Sequence, residues 1–254
     1  GSDNVTYDNC TFINCTSGTN GGGLDWLAGA NNGKILNCVF DHTRAARSAG
    51  AIYYDGDSGR MENITIIGTK SWGGSLKSTV PGLEYAGWDS SHWDTNTTGG
   101  DAGAIMITGD DGYLYNVTFI NCTATGRGGA VFLQHNTNVT FDSCKFINNT
   151  ALGISNNTYY NDLNTSSGHN QLHNGRGGAI AFDFDATDGK IKNSEFTNNL
   201  AYRDGGALSF AEGANDAQIL NSTFTNNTAK RSGGAMFWYG KNGTVKDSKF
   251  YNNR

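Results

Sequence analysis

The chain has 254 residues, of which 36 are Gly and one is Pro, with 16% charged residues and a formal net charge of −5. No basic stripe is present to neutralise phosphates, which excludes a nucleic-acid partner, and no apolar run approaches membrane-spanning length. This length and composition suit one elongated repeat array rather than two globular domains.

The first predicted element is a strand around Phe12, and the same phrase then recurs. Its anchors are Phe12, Phe40, Ile66, Phe119, Phe146, Phe196, Phe224 and Phe250, at spacings of 28, 26, 53, 27, 50, 28 and 26. Two residues before the anchor stands a small side chain (Cys10, Cys38, Cys144, Ser194, Ser222, Ser248), and one residue before it mostly a polar one. Five before it there is often an aliphatic, as at Ile35, Leu114, Ile191, Ile219 and Val245. Such period-two alternation of Thr, Val, Ile and Phe reads as a strand with one face in and one out. An Asn pair often follows the anchor, and it suits a tight bend because Asn tolerates the left-handed region. Asn side chains stacked on successive coils are expected to hydrogen-bond into a ladder.

A Gly-Gly-Ala phrase opens a second predicted strand. It begins as the variants Gly21-Gly-Gly-Leu24 and Ala49-Gly-Ala-Ile52 and settles into Gly205-Gly-Ala-Leu208 and Gly233-Gly-Ala-Met236. Its inward column is Leu24, Ile52, Ile105, Val131, Ile180, Leu208 and Met236. The outward positions Tyr53, Met106 and Phe132 fall on consecutive coils and are expected to form an apolar stripe, exposed or covered by an insertion.

Each unit of about 27 residues thus offers two or three short strands and no helix, and it buries its apolar face only by stacking on like units. The predicted fold is all-β: a right-handed parallel β-helix of about eight coils, each roughly 4.8 Å above the last. Helical solenoids need a 3.6-residue period, and leucine-rich repeats an L-x-L strand; both patterns are absent. An antiparallel fold leaves unexplained why every copy runs in the same order. The two long spacings carry no extra anchor and are expected to hold insertions, at 69–100 and 153–175. Residues 1–254 are read as a single β-helix segment of a longer array. Gly1-Ser2 looks like an expression remnant, and neither end shows an obvious polar cap.

The five Cys occupy repeat columns: Cys10, Cys38 and Cys144 in one, Cys15 and Cys122 beside the Asn pair. They read as small buried residues without zinc-site spacing, although Cys10 and Cys38 stand on neighbouring coils where a disulfide is geometrically open. There are fourteen N-x-S/T sequons, several on the repeat itself, and they give weak support for an extracellular location.

The phrases Gly128-Gly-Ala-Val131, Gly177-Gly-Ala-Ile180, Gly205-Gly-Ala-Leu208 and Gly233-Gly-Ala-Met236 resemble the GGAI motif of chlamydial polymorphic outer-membrane proteins. The phrases from Phe146 to Asn149, Phe196 to Asn199, Phe224 to Asn227 and Phe250 to Asn253 resemble that family's FxxN motif. The Asn/Thr-rich, Pro-poor style is similar to the adhesin-like surface proteins of methanogenic archaea. The resemblance implies a cell-surface location and a role in attachment, and it carries over no catalytic residue.

Both insertions leave after the anchor strand and return before the Gly-Ala strand, so they should project from one edge, about two strand spacings or roughly 10 Å apart. Residues Thr123–Arg127 would form the floor between them. The first insertion holds Trp72, Tyr85, Trp88, His92 and Trp93, and the second holds Tyr159, Tyr160, His169 and His173. Exposed rings stack on sugar faces or anchor a protein partner; the bland alternative is that they pack the loops on the solenoid wall. A second candidate is an acidic column of Asp57, Asp110 and Asp185, with Asn136 in the coil between and Asp55 and Asp111 nearby. It reads as ordinary Asp-Gly turn chemistry, as a Ca²⁺ site at Asp55, Asp57, Asp110 and Asp111, or as a carboxylate pair for glycoside chemistry.

The reading adopted is a non-enzymatic surface adhesin that binds a glycan or surface protein of another microbial or host cell. No cofactor is required, and calcium is the one candidate. The alternatives are a polysaccharide lyase or glycoside hydrolase on the same scaffold, and a passive spacer in a surface stalk.

Overall fold

The computed structural model describes residues 3–72, 100–153 and 175–254. Each full coil is built from four short strands, in the first coil Thr6–Asp8, Thr11–Ile13, Thr16–Ser17 and Leu24–Trp26. Every strand pairs in parallel with its counterpart one coil on. The result is two eight-stranded and two seven-stranded sheets running the length of the stack, a parallel β-helix. The third strand is only two residues long, too short for alternation to mark, which is why the sequence pattern resolves two or three strands per unit rather than four.

The long spacings are insertions and not hidden coils. Ile66 pairs directly with Phe119, and Phe146 directly with Phe196. Lys70–Ser71 is a strand lying between Arg44–Ala45 and Thr123–Ala124, so the coil continues to Trp72 before the first insertion begins.

The corners explain the sequence phrase. Each of the three corners that flank the first two sheets begins with a residue at positive φ, for example Asn4, Asn9 and Asn14 at 59°, 53° and 54°. Asn reaches this region at low cost because its short side chain bonds locally. The corner residue points outward, and the next one inward. At the third corner that inward residue is Asn in the later coils. Asn149, Asn199 and Asn227 are wholly buried. The Asn199 amide Nδ2 donates to the Phe146 carbonyl at 3.0 Å and to Asn227 Oδ1 at 2.9 Å. Its Oδ1 accepts from the backbone and the side chain of Asn149, both at 3.0 Å. The expected ladder is therefore present and runs through the core.

At the corner between the third and fourth sheets the first Gly of the phrase takes positive φ, 70° at Gly205 and 71° at Gly233. The second Gly is pinched by its neighbour coil: a Cβ on Gly206 would stand 2.0 Å from the Gly234 carbonyl oxygen and 2.6 Å from the Thr228 nitrogen. The Ala that follows, Ala207, is fully buried.

Identical register forces identical side chains onto one another. The anchor rings Phe119, Phe146, Phe196, Phe224 and Phe250 stack at 4.6 to 4.8 Å between centroids, at the strand spacing. Phe182, Phe210 and Trp238 form a second stack from the fourth sheet. Aliphatics from the first sheet such as Ile35, Leu114 and Ile219 fill the space between. Each buried Phe contributes about 1.5–3 kcal/mol of transfer energy.

Register also settles the cysteines. All five are free. Cys10 and Cys38 lie on neighbouring coils, but their side chains run the same way. The Cys10 N–H donates to Cys38 Sγ at 3.4 Å, and the two thiols donate to the Asp8 and Leu36 carbonyls of their own coils. A disulfide needs the two Cβ–S vectors to turn toward each other, which stacking in one column prevents.

Candidate binding edge

The corner between the third and fourth sheets is short in the fourth coil, where Thr125, Gly126 and Arg127 suffice to join Thr123–Ala124 to Val131–Leu133 by way of the glycines. In the third and fifth coils the same corner opens into the insertions. Both insertions are rooted against that short connection. The Gly126 N–H donates to the Gly100 carbonyl at 2.8 Å, and the Gly175 N–H to the Gly126 carbonyl at 3.0 Å. The Gly100 N–H donates in turn to Thr125 Oγ1 at 2.8 Å. The roots share one edge with Thr125–Arg127 between them, as the repeat positions of the insertions require.

Of the aromatic candidates, Trp72 is described. It is half-buried, its N–H donates to the Ala45 carbonyl, and the Arg44 guanidinium lies 5.9 Å from its ring centroid. That distance suits a cation–π contact. Tyr85, Trp88, His92, Trp93, Tyr159, Tyr160, His169 and His173 lie outside the described residues.

The floor of the edge is charged. Arg127 forks onto Asp101, with Nε at 3.1 Å from Oδ1 and Nη2 at 2.7 Å from Oδ2, and its Nη1 reaches Asp183 Oδ2 at 2.5 Å. Its guanidinium also lies 4.3 Å from the Phe132 ring centroid. All three charged side chains are nearly buried. Burial works against the Arg127 charge, but Asp101 and Asp183 hold its pKa above the ordinary arginine value. Burial pushes the Asp183 carboxyl up against the pull of Arg127, and Asp101 adds to the push. Two coils further on, Asp204 is wholly buried among Arg176, Arg203 and Arg231. These charges precede the corner glycine or alanine in successive coils: Asp101, Arg127, Arg176, Asp204. The signal is present in the repeat phrase, but strand alternation does not use it.

The outward stripe of the fourth sheet is not exposed. Phe132 is fully buried and Met106 is 8% exposed, packed with Ala49, Ala102 and Ala181 beside a partly buried Tyr53. The Arg127 guanidinium forms part of the cover.

The acidic column resolves into backbone hydrogen bonding. Asp57 Oδ1 accepts the Asp110 N–H at 2.9 Å, and Asp110 Oδ1 accepts the Thr137 N–H at 2.7 Å. Asn31 Oδ1 holds the Asp57 N–H in the same way one coil earlier. Asp55 accepts from Thr108 Oγ1, and Asp111 from Asn138 Nδ2. Each carboxylate thus has its own donor. Among the described residues no three His, Cys, Asp or Glu side chains are grouped to hold a metal ion. Asp185 and Asn136 leave the column. The connections after their strands are longer, and Thr137 and Thr187 bridge at the column position instead.

The motifs have counterparts in a known repeat. A family model described as the Chlamydia polymorphic membrane protein repeat matches residues 193–211 and 221–235. The matched segments run from the second corner through the second strand, the buried Asn and the Gly-Gly-Ala phrase of the sixth coil, and through the same elements of the seventh. No curated protein matches the chain. This chain is a repeat protein with coils similar to those of the chlamydial membrane proteins.

Proposed function

We propose that this β-helix is a non-enzymatic, cell-surface adhesive module that presents its insertion-bearing edge to a glycan or surface protein of another cell. One observation carries the reading. Two insertions rich in Trp, Tyr and His leave the same corner of coils three and five, and both are laced by hydrogen bonds to the rigid Thr125–Arg127 floor. Aromatic loops on a rigid wall supply contact rings without deforming the scaffold that positions them. The match to repeats of a chlamydial membrane protein supports the surface location. The Asn/Thr-rich, Pro-poor composition supports a place among archaeal adhesin-like proteins. The engagement of Asp57 and Asp110 with backbone N–H groups supports a structural role for that column over a Ca²⁺ or hydrolytic one.

The test is binding of the labelled protein to a glycan array and to whole microbial cells, with and without EDTA. Binding that survives EDTA and falls at least tenfold in Trp88→Ala is expected. Binding abolished by EDTA and untouched by Trp88→Ala would move the site to the aspartates and overturn the assignment.

A further inference from the structure

The three corners that border the first two sheets recur in all eight coils and give 24 positions, every one at positive φ between 46° and 63°. Asn occupies 16 of them; the others are His42, Ser58, Gly68, Asp111, Ser143, Asp188, Asp216 and Asp247. The fold makes two separate demands here. The corner needs a residue tolerant of the left-handed region, and two residues on a strand must begin. Nothing in those demands ties one choice to the other.

The sequence ties them. Thr stands two residues after 11 of the 16 Asn corners and after none of the other eight, which are followed by residues such as Arg44, Arg60, Lys70 and Tyr113. If the two positions were independent, about four of the eleven Thr would fall behind a corner that is not Asn. A direct contact does not account for the coupling. Among the described residues no hydrogen bond joins a corner Asn side chain to the Thr two residues on. The amides of Asn63, Asn116 and Asn221 donate instead to Asn37, Asn63 and Asn193 on the stacked corner. What Asn and Thr share at this spacing is the N-x-T acceptor sequence for glycan transfer. The Asn side chains are available for it: ten of the eleven are exposed and Asn138 is half-buried.

We infer that these corners are N-glycosylation sites, at Asn4, Asn138 and Asn242 on one corner, Asn9, Asn63, Asn116 and Asn221 on the next, and Asn14, Asn121, Asn148 and Asn226 on the third. The donor is an oligosaccharide linked through a diphosphate to a lipid, used by a transferase. The Asn Nδ2 attacks the anomeric carbon of the sugar and forms the N–C bond. The bond from that carbon to the phosphate oxygen breaks, the lipid diphosphate departs with the electron pair, and one Nδ2 proton passes to the transferase's base. The remaining Nδ2–H suffices for the contact to the stacked corner, as from Asn116 to Asn63 Oδ1 at 2.9 Å. The fourth corner, which bears the insertions, has only Gly or Ala at its positive-φ position, from Gly21 to Gly233, and the three remaining sequons, at Asn96, Asn156 and Asn164, belong to those insertions. Glycans would sheathe the three Asn-bearing corners. The inference does not depend on what the edge binds.

Peptide mapping of the protein isolated from the cells that make it, with fragmentation that preserves side-chain modifications, is the test. The expected result is sugar mass on the sequon Asn and none on Asn32, Asn37, Asn193, Asn198 and Asn252, corners with Asn but no Thr. In the same cells Thr140→Val and Thr244→Val should remove the modification from Asn138 and Asn242 while leaving the melting temperature within a few degrees. Unmodified sequon peptides throughout, equal modification of both sets, or glycans that persist in the Val variants would overturn it.

Discussion

Replacing Asn199 by Ala tests the physical core of the fold. Asn199 is wholly buried in the sixth coil, and its amide serves four partners. Truncation strands the Asn149 backbone N–H in an apolar interior, takes from the Phe146 carbonyl the donor it has besides its strand ladder, and removes one of two acceptors from the Asn149 amide, which keeps Phe119 at 3.3 Å. A buried polar group left without a partner costs about 1–3 kcal/mol. One such group, the weakened contacts and the small void predict a loss of about 2–4 kcal/mol. Two controls separate this from generic damage. Asn198→Ala changes the exposed left-handed corner next door and should cost about 1 kcal/mol, the conformational penalty alone. Asn253→Ala removes the last rung, where the side chain is only partly buried and water can replace the lost partners, and should also cost about 1 kcal/mol. The assay is urea unfolding followed by circular dichroism, with the slope compared across variants because solenoids can unfold in blocks. An Asn199→Ala variant within 1 kcal/mol of the parent, at equal slope, would refute the ladder as a source of stability.

Gly206→Ala should prevent the sixth and seventh coils from stacking, because the new methyl meets the backbone of Gly234 and Thr228 and no flexible side chain can yield. Loss of the cooperative transition is expected, and a folded variant with an unchanged melting temperature would count against the close approach. Native-state alkylation at about pH 8 should label Cys10 and Cys15, which are partly exposed, and spare Cys122 and Cys144, whose thiols burial pushes up to about 12. Mass spectrometry after a short pulse reads this directly, and rapid labelling of Cys122 would contradict it. Burial tends to raise the Asp142 carboxyl, but hydrogen bonds from Asn193, Lys192, Ser143 and Tyr113 outweigh it and hold the pKa below the usual aspartate value. Its contribution is therefore present above the unfolded-state pKa and is lost as pH falls through the folded one. The melting temperature of Asp142→Asn should lie below that of the parent at neutral pH and converge with it in acid; parallel curves would refute the assignment.

The fold was legible because stacking makes every coil repeat the same demands. Phe196 and Phe224 fill one column, Asn199 and Asn227 another, and a period of about 27 residues exposes both. The third strand was not legible, since two residues such as Thr16–Ser17 leave no alternation to read. Nor was the burial of Phe132: period two places it outward, and only the tertiary position of Arg127, held by Asp101 and Asp183, shows part of what covers it. The acidic column was read at a constant offset from the glycines. Longer connections in the fourth and fifth coils shift Asn136 and Asp185 off it, a change that spacing alone does not report. The shared edge of the insertions followed from their repeat position.

The adhesive reading is tested most directly by removing the insertions without disturbing the coils. Trp72, Gly100, Asp101 and Ala102 align with Thr125, Gly126, Arg127 and Gly128, so deletion of 73–99 rejoins the third coil at the length the fourth coil already uses. Deletion of 154–174 leaves the fifth coil one residue longer, at Gly153-Gly175. The double deletion should keep the β-sheet circular dichroism and the cooperative melt of the parent and lose binding to cells and glycans. A folded double deletion that binds as the parent does would contradict the account and return the adhesive surface to the bare wall of the solenoid.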